Sequence, residues 1–485
     1  MKIIFIIPKA KSISGGKSLT LIPNVGIAYL SAFLKKNGIE VCVFDDGVED
    51  GWEKLFTTIR ESKPDVIGIT IYSYNYGYAC GLIKAIRDNF RLPLVLGGIH
   101  VNIIKKQILL DTGADFAVKH EGEYTLLELL EAIKNKNNDF SVIKGLIWRG
   151  ENSRIIENPD RPLIKDLDIL PFPDYDIFDI TKYFCYKDKT LPLITSRGCP
   201  YGCNFCSIKL SMGQSFRPRG AENVVDEIEC YVSKGWAGFD IDDDCFTLDM
   251  KRVEAICDLI IQKKLNIKFK FPNGIRADKV SYQLLKKLKL AGCTYIVYGC
   301  ETGNKRILKL IKKGVTLEQV RQAVEWANEV GISNSVSFII GHTEETYKEA
   351  LDTLVFARSL STDFSSFYNL LPYPGTETYA WVKKYGRSLI PPENYLENIS
   401  ACRNEPIFDT EEFTREQRIK VLNMGFNLFR KKYFKFRLGP ILGSILYYIS
   451  LIRIFNKFFS YFVLDNNVGR GIYISLSKIL QRRKK

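Results

Sequence analysis

Cys199-Pro-Tyr-Gly-Cys203-Asn-Phe-Cys206 is a CxxxCxxC that directly follows an apolar strand candidate, Leu193–Thr195. Three thiolates on one loop can hold three irons of a 4Fe–4S cluster and leave the fourth iron without a protein ligand. An open iron of that kind can chelate a small molecule through its amino and carboxylate groups. A zinc site normally needs a fourth Cys or His. None lies nearby in sequence, so zinc survives only as a reading with a distant fourth ligand. The other nine of the twelve cysteines are scattered singly. That distribution fits a reducing cytoplasm with one metal site better than a disulfide framework.

Downstream of the motif, β-rich runs alternate with helical ones. Strands are predicted at Leu193–Thr195, Phe239–Asp242, Ile267–Phe271, Tyr295–Tyr298, Ser335–Ile340 and Ser365–Leu370. Helices lie between them, among them Asn223–Ser233, Lys251–Lys263 and Thr346–Leu360. Six strands are too few for a closed eight-fold barrel, so a partial (β/α)6 barrel of TIM type is expected. Its active site belongs at the C-terminal ends of the strands.

Upstream, residues 1–144 also alternate: strands at Ile3–Ile7, Val41–Phe44, Val66–Thr70, Leu94–Gly97 and Phe116–Lys119, with helices at Val25–Asn37 and Thr125–Asn135. Such a pattern predicts right-handed βαβ units and a doubly wound, Rossmann-like parallel sheet. Residues 145–188, punctuated by Pro159, Pro162, Pro171 and Pro173, read as a linker. Residues 189–400 form the barrel and 401–485 a helical C-terminal region.

With Phe205 before its last cysteine, the CxxxCxxC resembles the signature of the radical S-adenosylmethionine (SAM) superfamily, and the likeness extends along the barrel. Asp242-Asp243-Asp244 with Phe246, Asn273-Gly-Ile-Arg276, Gly299-Cys-Glu301-Thr-Gly303, Ile340-Gly341-His-Thr and Leu371-Pro-Tyr-Pro-Gly-Thr376 resemble the family's successive loop motifs. The departures are Thr302 for a usual Ser and His342-Thr343 for a common Leu-Pro. The resemblance implies that Cys199, Cys203 and Cys206 bind the cluster, that Glu301 hydrogen-bonds SAM, and that Phe205 lies beside its adenine. Asp243 and Ser337 are further candidate cofactor contacts. The implied chemistry is reductive cleavage of SAM to a 5′-deoxyadenosyl radical, fed by a reducing partner such as a flavodoxin or ferredoxin.

Pro23-Asn-Val-Gly26, Gly97-Gly98-Ile-His100 and Glu121-Gly122-Glu123 fall at strand-to-helix loops of the N-terminal domain, where glycines allow close backbone approach to a bulky ligand. These segments resemble the cobalamin-binding domain fused to many radical SAM enzymes. The resemblance makes Pro23, Gly26, Gly97, Gly98, His100, Glu121 and Gly122 candidate cofactor contacts. Ile99 replaces a frequent Pro, and His120 a frequent Gly. No DxHxxG is present, so cobalt would have no axial histidine, and His100 reads as a loop hydrogen-bonder. No GxGxxG follows the first strand, and Gly15-Gly-Lys-Ser18 lacks the first glycine of a phosphate loop.

The whole chain has 485 residues, 46% hydrophobic and 26% charged, as a packed globular protein requires. Five apolar residues before Pro8 are too few for a signal peptide. The net charge of +14 is concentrated in the tail: residues 426–485 hold thirteen Lys and Arg against Asp465 alone. Leu438–Leu464 is apolar but interrupted by Arg453 and Lys457. It reads as an interfacial helix on an anionic membrane surface or as a buried cap on the barrel, and no nucleic-acid partner is expected. The expected enzyme methylates an unactivated carbon of a small-molecule or lipid-like substrate. The alternatives are radical cyclisation, as in anaerobic porphyrin-ring cyclases, and a non-catalytic corrinoid or redox sensor. The expected location is the cytoplasm, with peripheral contact to the inner face of the membrane.

Overall fold

The computed structural model describes residues 1–9, 22–49, 51–397 and 405–451; the Gly15–Ser18 segment lies outside them. Five parallel strands open the chain: β1 (Lys2–Ile7), β2 (Glu40–Asp45), β3 (Val66–Thr70), β4 (Leu94–Gly97) and β5 (Phe116–Val118). They pair in the order β2-β1-β3-β4-β5. Both faces of this sheet are covered by helices, which is why β1 and β3 read as unbroken apolar runs and are buried almost throughout. The chain turns one way from β1 to β2 and the other way to β3. The carboxyl ends of β1 and β3 therefore splay apart and leave a crevice.

This sheet does not stop at residue 144. β6 (Leu146–Arg149) and β7 (Ile155–Glu157) add antiparallel strands to the free edge of β5, so the stretch expected to be linker begins inside the domain. Strands this short, set off by Gly145 and Gly150, carry too little alternation to be read locally. Their order comes from pairing with β5 and from Trp148, which packs on Phe140 and donates to Asn158.

The second sheet is built from β8 (Thr190–Leu193), β11 (Gly238–Ile241), β12 (Lys268–Ile275), β13 (Cys293–Glu301), β14 (Ser333–Ile340) and β15 (Phe364–Asn369). All pairs are parallel and the order β15-β14-β13-β12-β11-β8 is open, the partial barrel expected. Between β8 and β11 a two-residue antiparallel pair, β9 (Ser196–Arg197) with β10 (Arg217–Pro218), closes the base of the cysteine loop. β8 ends before the expected Thr195 because the Thr195 N–H donates to the Asp243 carboxylate (2.6 Å) and leaves the ladder.

After the short pair β16 (Arg387–Ser388) and β17 (Phe408–Asp409), a helix at Arg415–Leu438 starts with a Thr414/Gln417 capping box and lies against β15. Phe429, Tyr433 and Phe436 surround the Phe364 ring, and Lys432 Nζ donates to the Leu360 carbonyl (3.1 Å). Residues 426–438, counted with the membrane tail from their charge, thus belong to a helix that packs an aromatic face on the barrel, with Phe434 and Leu438 buried and Asn427, Lys431 and Lys435 exposed. Among the described residues no helix is long and apolar enough to cross a membrane. The rest of the apolar stretch, from residue 452 on, lies outside the described residues.

Candidate active site

A cavity of about 310 Å³ opens at the β1/β3 crevice. Its floor comes from the N-terminal sheet, including Gly26, Thr70, Gly97, Gly98 and Gly122. Its roof comes from the barrel: Ser196, Arg197, Ser211, Met212, Asp242 and Asp244. The two domains share one chamber, and the loop that carries the three cysteines forms part of its roof.

The glycines at this floor answer to geometry. Gly98 has φ +97, and a Cβ there would lie 2.5 Å from the Ile71 carbonyl oxygen. Gly97 would place its Cβ in open space, so a side chain there would grow into the chamber. His120, where the related domain often has glycine, keeps a left-handed backbone (φ 57). Its ring reaches across the domain boundary to the Ser211 carbonyl (3.1 Å). Asn24 caps the first helix through Ile27 N–H and donates to the Tyr72 hydroxyl, so two cavity residues hold each other.

Of the expected contacts, Gly26, Gly97, Gly98, Glu121 and Gly122 line the chamber, whereas Pro23 and His100 do not. Pro23 is buried just ahead of the Asn24 cap. The His100 ring is fully buried, 3.0 Å from the Ser73 hydroxyl and against Tyr76. Burial lowers its pKa to about 4, so it stays neutral. Both oxygens of the Glu121 carboxylate are engaged by protein: by Arg197 and Arg217 of the barrel and by the Ile164 N–H.

The cysteine loop is pinned from several sides. Asn204 N–H donates to the Ile311 carbonyl, its side chain to the Leu310 carbonyl, and Thr378 N–H donates to the Asn204 carbonyl. The Arg276 guanidinium lies 3.4 Å from the centre of the Tyr201 ring. A hydrogen bond from Cys245, which sequence reading did not single out, lowers the Cys199 thiol to about 6. Burial raises Cys203 and brings Cys206 to about 11, with the neighbouring sulfurs adding to both. Among the described residues, no three His, Cys, Asp or Glu side chains are gathered tightly enough to hold a metal ion. The donor set is nonetheless that of a cluster: three unbridged, half-buried sulfurs on one loop, with the Arg276 and Lys313 cations favouring the thiolate of Cys203.

Glu301 ends β13 with a left-handed backbone (φ 74), and its carboxylate accepts from Lys313 Nζ at 2.6 Å. Lys313 also lies within electrostatic reach of Cys203. His342, where the motif departs from Leu-Pro, sits beneath the Glu301 carbonyl (3.3 Å) and packs against Phe205. Glu301, Lys313, Phe205 and Cys203 therefore form one neighbourhood. Ser337 lies one strand over, in register with Gly299. Asp243, expected at a cofactor, instead accepts from Thr195 N–H and from the Thr195 and Ser196 hydroxyls, and is buried. Its neighbours Asp242 and Asp244 face the chamber. Burial raises Asp242 to about 7, helped by Asp240 and Asp243, and Asp244 to about 6.

A partial barrel with a three-sulfur loop, facing the open crevice of a doubly wound domain, defines a radical SAM enzyme with a B12-binding domain. The chain belongs to that family. The radical SAM superfamily model matches residues 193–357 and the B12 binding domain model residues 12–130. An uncharacterized methyltransferase of Pyrococcus horikoshii is 32% identical over 91% of this chain and 93% of its own length. The anaerobic magnesium-protoporphyrin IX monomethyl ester cyclase of Rubrivivax gelatinosus is 27% identical over 78% of this chain and 69% of its own. In fold, the chain resembles the radical SAM methyltransferase TsrM of Kitasatospora setae with cobalamin and a 4Fe–4S cluster bound. The TM-score is 0.67 at 20% identity, covering 78% of this chain and 76% of that one.

Proposed function

We propose that the protein is a cobalamin-dependent radical SAM methyltransferase that methylates an unactivated carbon. The observation that carries this reading is the shared chamber, whose floor is a glycine-lined B12-type crevice and whose roof includes the cluster loop. The absent cofactors would supply a carbon-centred radical and a methyl group to the same space. Cys199, Cys203 and Cys206 would hold the cluster. The Glu301–Lys313 pair offers a fixed acceptor and a cation to the amino and carboxylate ends of SAM, and Phe205 an apolar wall. Gly97 lets the corrinoid approach the sheet edge, and Gly98 lets the turn beside it lie close against Ile71. Asp242 and Asp244 present hydrogen-bonding groups to whatever substrate enters from the barrel side. A flavodoxin or ferredoxin would supply electrons.

A hydrophobic or membrane-held substrate is the finer part of the reading. It is supported by the helix Pro440–Leu451, which exposes Ile441, Ile445 and Tyr448 and is followed in sequence by a cationic stretch. Radical cyclisation is the second reading, favoured by the similarity to the cyclase over 78% of this chain.

Anaerobic reconstitution with dithionite, hydroxocobalamin and methyl-labelled SAM tests the assignment. Extracts of a deletion strain serve as substrate source. Labelled methyl in product supports methylation, and an unlabelled product accompanied by 5′-deoxyadenosine supports cyclisation. Replacing the three cysteines with serine should abolish iron, sulfide and 5′-deoxyadenosine together. Retention of any of them in that variant removes the basis of the proposal.

A further inference from the structure

The cysteine loop, residues 198–216, leaves from β9 and returns through β10, where Arg197 stands directly opposite Arg217. Like charges directly opposite each other on paired strands repel. Here both side chains are also buried, with only 10% and 6% exposed. Two such cations at the neck of one loop would drive it open unless an anion lay between them.

That anion comes from the other domain. Glu121 Oε1 accepts from Arg197 Nη1 (2.7 Å) and from Arg217 Nη1 (2.8 Å), and Oε2 accepts from Arg217 (2.8 Å) and the Ile164 N–H (2.8 Å). Arg197 Nη2 pairs with Glu123 (2.9 Å). Glu121 and Glu123 begin the loop and helix after β5, and both line the chamber with Gly122 between them. From its other side the same cysteine loop contributes Ile208, Ser211 and Met212 to the chamber and is held by His120. One segment thus has sulfurs on one face and the chamber on the other, and its neck is closed by a carboxylate from the corrinoid-type domain.

We infer that Glu121 is a positioning residue that couples the two cofactor sites: a corrinoid in the chamber and a cluster on the loop each favour the same closed neck, so each tightens the other's binding. This rests on the functional reading above, which puts a corrinoid in the chamber. Whichever cofactor binds first stabilises the closed neck, and the second then meets a neck already held shut. Coupling of this kind is reciprocal and typically amounts to about 5- to 150-fold in affinity.

Hydroxocobalamin is titrated, under anaerobic conditions and by absorbance, into the full-length protein with its cluster reconstituted and again after the iron has been chelated. In the wild type the cluster should tighten corrinoid binding by roughly tenfold. In cluster-free protein, corrinoid should also slow amide hydrogen exchange in residues 207–216. Glu121→Gln should bring the affinity ratio close to one while iron and sulfide content stay near wild type, and Glu121→Asp should give an intermediate ratio. A purely structural ion pair would lower the stability of Glu121→Gln and leave the ratio unchanged, which overturns the inference. Unfolding of both variants, seen by circular dichroism, overturns it as well. Wild-type protein that binds corrinoid equally with and without cluster refutes the coupling alone, whereas wild-type protein that binds no corrinoid refutes the functional reading beneath it.

Discussion

Adjacent glycines at the chamber floor should fail in different ways when each is given one methyl group. At Gly98 the built Cβ lies 2.5 Å from the Ile71 oxygen, 2.8 Å from the Ile71 nitrogen and 3.0 Å from the Thr70 hydroxyl, and φ is +97. The nearest two obstacles are backbone of the loop after β3, so no rotamer change relieves them. Holding alanine in a glycine-only backbone region costs about 1–3 kcal/mol, and overpacking adds about 1–3 kcal/mol. Gly98→Ala should therefore lose about 4 kcal/mol, which for a domain of this size lowers the melting temperature by roughly 10 °C. At Gly97 nothing lies within 4 Å of the built Cβ, so the fold should tolerate Gly97→Ala with a change of at most a few degrees. Its methyl group enters the chamber, however, and a wedge of about 1–3 kcal/mol against a rigid corrin weakens binding about 5- to 150-fold. Calorimetric melting and hydroxocobalamin titration of the two variants separate the effects. Wild-type affinity in Gly97→Ala, or a wild-type melting temperature in Gly98→Ala, would refute this account of the floor.

Lys313→Met should leave the Glu301 carboxylate in place without its cation, costing about 3 kcal/mol in urea denaturation and weakening SAM in equilibrium dialysis. Asp242, raised to about 7, binds its proton more tightly folded than unfolded. Stability should therefore fall as pH rises from about 4 to 7, by at most roughly 2–4 kcal/mol, and Asp242→Asn should flatten that fall in urea midpoints compared across the range. Removing 452–485 should reduce sedimentation with anionic phosphatidylglycerol vesicles while leaving the melting temperature within a few degrees. Removing 426–485 should instead cost more than about 5 kcal/mol, because Phe364 loses Phe429, Tyr433 and Phe436. Equal vesicle sedimentation by the full and shortened chains would count against the membrane reading.

The alternation of β-rich and helical runs was enough to predict both sheets, because β1 and β3 are buried almost throughout and the strands of the second sheet alternate buried with less buried residues, and composition reports either pattern locally. The sulfur motif was legible for a similar reason: three cysteines within eight residues share one loop however the rest folds. The glycines at 26, 97, 98 and 122 were also readable, since strand-to-helix loops of a doubly wound sheet meet at one edge.

Interactions between residues distant in sequence were not legible. β6 and β7 are ordered by the free edge of β5, and the helix through residues 426–438 docks on the barrel because β15 offers Phe364 to Phe429, Tyr433 and Phe436, whatever the charge of its other face. Asp243 and His100 sit in the expected segments, yet their partners, Thr195 and Ser196 for one and Ser73 and Tyr76 for the other, turn them away from the chamber. Glu121 occurs in an ordinary Glu-Gly-Glu, and only the tertiary structure sets it between two arginines 76 and 96 residues away. Local composition records whether a residue is buried and which backbone it needs. Which charge meets which is decided when the domains dock, because desolvated ions must find a partner wherever in the chain it lies.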